Sequence, residues 1–163
     1  MHLSRRTLSA ACLGAVALTL AAAASAAPSS SIAVAGFALP TPTPPTSVRS
    51  ADGNMIFEFT RAPHTWSGGL TGTSTVDVRF VVHSSGGFTF ESLGTFTGTT
   101  PCGTATLQLA GQGTGPYPSP ITGKIRTVDE ADASPQMHVD LDAVLSLTSA
   151  GARIDYTGDV RCG

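Results

Sequence analysis

Between residues 55 and 160, apolar side chains recur at every second position, and no stretch carries the three-to-four spacing of a helix. Leu70, Gly72, Ser74, Val76, Val78, Phe80 and Val82 share one face, and Thr71, Thr73, Thr75, Asp77, Arg79 and His83 the other. Successive side chains of a strand point to opposite faces, so this alternation describes a sheet with one apolar and one wet face. Met55, Phe57 and Phe59 alternate in the same way with Ile56, Glu58 and Thr60. Phe88, Phe90, Gly94 and Phe96 continue the apolar face, followed by Ala105, Leu107 and Leu109 and then Ile121, Gly123 and Ile125. Met137, Val139, Leu141, Ala143, Leu145 and Leu147 alternate without a break, as do Ala152, Ile154, Tyr156, Gly158 and Val160.

Short turns separate these runs, among them Ser84-Ser85-Gly86-Gly87 and Thr100-Pro101-Cys102-Gly103. The first sets a register. Val82 opposite Phe88 places Phe80 against Phe90 inside and Arg79 against Glu91 outside, so apolar and opposite-charge pairs form together. In the last hairpin, Leu147 opposite Ala152 places His138 against Arg161 and Asp140 against Asp159 on a solvated face. Gly111-Gln112-Gly113-Thr114-Gly115-Pro116-Tyr117-Pro118 reads as a loop. The pattern predicts an all-β fold, an antiparallel up-and-down barrel of seven to eight strands, over residues 53–163. Inward glycines at 72, 94, 98 and 158 fit a strongly coiled sheet.

The chain before the barrel divides in two. Residues 1–26 read as a secretory signal: Arg5 and Arg6, then an uncharged apolar run, then the small-x-small triplet Ala24-Ser25-Ala26. Ser4-Arg5-Arg6-Thr7-Leu8 resembles a twin-arginine export motif. The apolar run is too short and too rich in alanine to predict a membrane span, so none is expected in the mature chain. Residues 27–52 read as a linker, with Pro40-Thr41-Pro42-Thr43-Pro44-Pro45-Thr46 favouring extended, loosely packed chain. Within it, Ile32, Val34 and Phe37 are spaced as an edge strand would be. Loss of the signal removes Cys12 and leaves Cys102 and Cys162, which an exported chain is expected to join. In a meander both fall on one rim of the barrel.

Charge narrows the function. Only 12% of residues are charged, and Lys124 is the single lysine, so no cationic surface is available to track nucleic-acid phosphates. His83-Ser84-Ser85 lacks the following helix that a hydrolase nucleophile turn needs. Gly111-x-Gly113-x-Gly115 runs into Pro116 and Pro118 rather than opening a helix onto a phosphate. Asp129, Glu130 and Asp132 match no calcium-loop spacing, and His64, His83 and His138 match no metal-ligand spacing. No cofactor or metal is expected.

Several motifs resemble a family of small bacterial proteins of unknown function, related in fold to allene oxide cyclase and the dirigent proteins. They are Thr65-Trp66-Ser67-Gly68, Leu70-Thr71-Gly72-Thr73-Ser74, Gly94-Thr95-Phe96-Thr97-Gly98, Cys102-Gly103-Thr104 and Gly113-Thr114-Gly115. The resemblance covers roughly residues 55–115; the acidic segment before Met137 departs from it. It implies a closed barrel of about eight strands around a cavity. It implies no activity, and no residue here matches a cyclase active site.

The reading is thus an exported, disulfide-linked β-barrel without catalytic residues, able to hold a small apolar ligand. Trp66, beside Gly68 and Gly69, either closes over such a guest or plugs the core. Phe57, Phe59, Phe80, Phe90, Phe96 and Leu141 complete the candidate lining. Tyr117 is a further aromatic candidate near a rim. Two alternatives stand beside it: an isomerase or cyclase that uses the cavity to shape its substrate, and a cell-envelope interaction protein with the Pro-Thr run as stalk. An ionisable residue pointing into the cavity would favour the enzyme.

Overall fold

The computed structural model describes residues 30–118, 120–128, 137–149 and 151–163. Residues 1–29, which include the expected signal, and the acidic stretch 129–136, with its calcium candidates, lie outside the described residues. The described chain is all-β, with nine strands and no helix: β1 (Ser31–Pro40), β2 (Ser47–Ala51), β3 (Asn54–Gly68), β4 (Thr71–Val82), β5 (Gly87–Thr100), β6 (Gly103–Pro116), β7 (Ile121–Thr127), β8 (Met137–Thr148) and β9 (Gly151–Cys162). Every pairing is antiparallel. Strands β3 to β9 follow one another around the wall, and β1 sits between β9 and β3, closing an eight-stranded barrel. Closure leaves few unpaired strand edges. β2 is a ninth strand on the free edge of β3.

The expected registers are present. Val82 faces Phe88, Phe80 faces Phe90 and Arg79 faces Glu91, while Leu147 faces Ala152 and His138 faces Arg161. The outer face carries exposed ion pairs, Lys124–Asp142 at 2.6 Å and Arg126–Asp140 at 3.2 Å, each worth little in water.

Two segments differ from expectation. The first is the linker. Ser31–Pro40 is not loose chain but the closing strand, because Val34 and Ala38 alternate inward and are buried while β9 and β3 both offer it ladder groups. The prolines then stop the ladder, since they carry no N–H to donate. Residues 41–46 leave the β3 edge and return to it, tied by Thr41 N–H to Pro63 O and Thr46 N–H to Glu58 O, both 2.8 Å. The second is the glycine-rich loop at 111–116. It continues β6, paired with β5 throughout and with β7 as far as Thr114. Glycine there makes room rather than a turn: a Cβ on Gly113 would strike the Phe90 ring.

A bulge in β3 decides what points inward. Phe59 pairs with Val78 and Ala62 with Val76, so Thr60 and Arg61 together oppose Asp77. An extra residue reverses the side-chain parity of a strand. Phe57 and Phe59 therefore share the inner face with Ala62, His64 and Trp66. Arg61 takes a left-handed φ of 54°, and its amide donates to Asp77 Oδ1 at 2.7 Å.

The strand ends define two rims. One holds the β3–β4 and β5–β6 turns and the end of β9. There Cys102 and Cys162 are joined, with Cα atoms 5.6 Å apart. Linking residues 60 apart in sequence stabilises by roughly 4 kcal/mol in the chain-entropy model. The other rim holds the β2–β3, β4–β5 and β8–β9 turns and the β6–β7 connection.

Candidate functional site

Toward the disulfide rim the barrel is solid. Trp66, Leu70, Phe96, Leu141, Tyr156 and Val160 form one buried cluster, joined by Val34, Val139 and Met137. Trp66 meets Phe96 edge to face at 5.7 Å and Tyr156 at 5.4 Å. Its indole N–H donates to Ser74 Oγ at 2.9 Å. The Tyr156 hydroxyl accepts the Leu70 amide at 2.9 Å and lies 3.1 Å from the carbonyl oxygens of Ser67 and Leu70, so it pins the β3–β4 turn over the core. Burial pushes this hydroxyl's pKa up, with the Leu70 amide pulling the other way. Gly36 on β1 gives the ring its space: a Cβ there would stand 2.7 Å from Tyr156 Cζ.

Beyond this floor the interior opens into a cavity of about 290 Å³. Small inward residues make it. The cross-strand row Val78, Ser92, Gly111 and Ile125, and the next row Phe80, Phe90, Gly113, Gly123 and Ala143, set glycine, serine or alanine beside each large side chain. Phe59, Phe80 and Phe90 lean over the space, with Phe59 and Phe80 rings 5.6 Å apart and Phe80 and Phe90 rings 6.2 Å apart. Pro40, Thr41, Pro42 and Thr43 form the wall where β1 has ended. The lining also reaches the β8–β9 turn at Leu147, Gly151 and Ala152.

Of the aromatic and aliphatic candidates read from the sequence, Trp66, Phe59, Phe80 and Phe90 line this cavity. Trp66 does so as the upper surface of the plug. Phe96 and Leu141 are fully buried in the solid half. Phe57 pairs with Val48 of β2 and lies outside the lining. Tyr117 is 52% exposed and stacks on Phe88 at 6.1 Å, also outside it. His83 sits in the β4–β5 hairpin turn, its Nε2 3.2 Å from Thr89 Oγ1.

The polar members of the lining escaped the sequence reading. His64 is 8% exposed and Ser74 5%, and they are direct cross-strand partners facing the cavity. His64 is the single ionisable residue among the described lining. Burial alone lowers its pKa from 6.5 to about 4, so the imidazole is neutral at physiological pH. Its ring has no hydrogen-bond partner among the described residues. The signal that locates it is the bulge at Thr60 and Arg61; unbroken alternation from Phe57 and Phe59 would place His64 on the outside.

Among the described residues, no group of three or more His, Cys, Asp or Glu is placed to hold a metal, and no helix is long and apolar enough to cross a membrane. In comparisons with known proteins, no family model, no curated protein and no solved structure matches the chain.

Proposed function

We propose that this is an exported β-barrel that binds one small, largely apolar molecule inside the barrel. The observation that carries the reading is the cavity itself. A dry apolar cavity of about 150 Å³ admits benzene, and this one, at about 290 Å³, is roughly twice that size. Its walls are aromatic and aliphatic with few polar groups, the usual character of a small-molecule site. The Cys102–Cys162 bond supports an oxidising compartment. Kinship with the allene oxide cyclase and dirigent barrels belongs to the same proposal, supported by eight antiparallel strands closed around a cavity.

Two measurements test it. Native mass spectrometry of protein purified from its own host should show a reproducible bound small molecule. Titration with 1-aminoanthracene should give saturable fluorescence and perturb the emission of Trp66, the chain's one tryptophan. Ala143→Leu, which fills the cavity from β8, should abolish both effects. No bound molecule and no saturable titration would remove the proposal.

A second reading, an isomerase or cyclase that folds its substrate in the cavity, is favoured by one observation: His64 is an ionisable group pointing inward. A neutral imidazole in a water-poor cavity can accept or return a proton while the walls fix the substrate's shape. Turnover of the co-purified molecule that is lost in His64→Leu would favour this reading over simple binding.

A further inference from the structure

We infer that His64 and Ser74 form a polar anchor for the ligand's head, and that the ligand is an apolar molecule bearing a single uncharged oxygen group, a hydroxyl or a carbonyl. The inference rests on the cavity-binding reading and specifies its ligand class.

The argument starts from the donors and acceptors left over. The Ser74 oxygen already accepts the Trp66 indole N–H at 2.9 Å. Its own hydroxyl hydrogen has no acceptor among the described residues, so it is free to donate into the cavity. A neutral imidazole across the strand pair supplies one donor and one acceptor, and neither is used within the described protein. Among the described residues no side-chain nitrogen or oxygen sealed from solvent lacks a partner, so the unpaired His64 nitrogens border the cavity itself, where a ligand can reach them. These two neighbours on one wall ask for the same partner. A carbonyl oxygen accepts from both; a hydroxyl accepts from Ser74 and donates to His64. The remaining lining is apolar apart from Ser92, Thr41 and Thr43, so the rest of the ligand is hydrocarbon.

Charge excludes the obvious competitor. A fatty-acid-like carboxylate would enter a space whose described lining holds no Arg or Lys. Burying an unpaired carboxylate costs far more than burying a neutral oxygen. An amine fares no better, because the lining holds no Asp or Glu.

The experiment is calorimetric titration of the full mature protein at pH 7 with naphthalene, 2-naphthol and 2-naphthoate, matched in size and differing only at the head. 2-Naphthol should bind about tenfold tighter than naphthalene, the size expected for a net hydrogen bond, and at least about tenfold tighter than 2-naphthoate. In His64→Leu, 2-naphthol should fall to the level of naphthalene, while naphthalene keeps its affinity. Ser74→Ala should lower the preference in part. Leucine matches histidine closely in size and replaces an unpaired polar group, so the variant is expected to fold. Equal binding of naphthalene and 2-naphthol, an unchanged preference in His64→Leu, or 2-naphthoate binding as tightly as 2-naphthol would each overturn the anchor while leaving the cavity reading intact. Failure of all three compounds and of 1-aminoanthracene to bind would remove both.

Discussion

Toward the disulfide rim, the inward positions carry Trp66, Phe96, Leu141, Tyr156 and Val160, none more than 4% exposed. Between that cluster and a smaller one of Phe88, Ile121 and Leu145 nearer the opposite rim, the inward positions are Ala62, Ser92, Gly94, Gly111 and Ala143, around open space. Backbone pattern and alternation are alike in the two halves, so neither explains the difference. Side-chain volume does. The halves also treat polarity differently: the indole N–H of Trp66 and the hydroxyl of Tyr156 are hydrogen-bonded, whereas the imidazole of His64 is left facing the void. A protein under selection for stability alone would fill the void and remove the imidazole. Keeping both is consistent with the proposed binding site.

The sharpest way to break this contrast is to delete one ring from each half. Phe96→Ala empties a fully buried, close-packed site and should destabilise by about 4 kcal/mol. Phe80→Ala only enlarges an existing cavity and should lose about 1–2 kcal/mol, since the ring already lacks neighbours on one side. Urea denaturation of the two variants decides it. Equal losses would mean that the second half is packed as tightly as the first.

Acid should act through the hollow half. The unfolded chain protonates His64 below its ordinary pKa of 6.5, and the folded chain resists until about 4. The stability that comes from keeping this ring neutral is therefore complete above pH 6.5 and lost progressively as pH falls to about 4, in total by about 3 kcal/mol. Comparing urea midpoints at pH 7, 5.5 and 4.5 between the parent and His64→Leu isolates that slope. Parallel curves would show that His64 does not titrate from a buried neutral state.

The same variant sharpens the comparison at pH 7, where folded His64 is neutral and unfolded His64 mostly so. His64→Leu replaces a polar ring that borders an apolar cavity and has no protein hydrogen bond, and should stabilise by about 1 kcal/mol. A gain in stability together with loss of the 2-naphthol preference separates a functional residue from a structural one. A loss of stability would mean the imidazole has a partner in solution.

The strands and hairpins of both halves are legible in the sequence because their signal is periodic. Alternation from Val76 to Val82 and from Met137 to Leu147, with one register that satisfied Arg79 and Glu91 together, fixed strands, faces and hairpins. The disulfide follows from the two cysteines left once the expected signal is removed, and counting turns places both on one rim. The closure of the barrel and the lining of the cavity are hidden by two local events without a periodic signature. One is the β1 closing strand, whose inward Val34 and Ala38 lie beside a proline run that dominates the composition of residues 27–52. The other is the β3 bulge. Two residues, Thr60 and Arg61, reverse which of the following side chains point inward, and nothing in Glu58-Phe59-Thr60-Arg61-Ala62 announces it. Glycine misled for a related reason: in a run such as 111–115 it signals a turn as readily as the close approach of a ring.

That bulge yields the smallest effect, and it bears on how the hollow half is held in place. The Asp77 carboxylate accepts the Arg61 amide at 2.7 Å across the bulge, at an exposed position on the outer face. Asp77→Ala should destabilise by about 1 kcal/mol and speed exchange of the Arg61 amide in hydrogen-exchange NMR, while binding of 1-aminoanthracene stays unchanged. The expectation follows from what else holds the register. Removing the bulge would turn Trp66 out of its contacts with Phe96 and Tyr156 and expose it to water, at a cost of several kcal/mol for a side chain of that size. The inward orientation of His64 is therefore tied to that of Trp66, one turn of the pleat away on the same face. Asp77 tunes the bulge; the solid half enforces it. A loss of several kcal/mol in Asp77→Ala, accompanied by loss of probe binding, would reverse that order and make the carboxylate the element on which the hollow half depends.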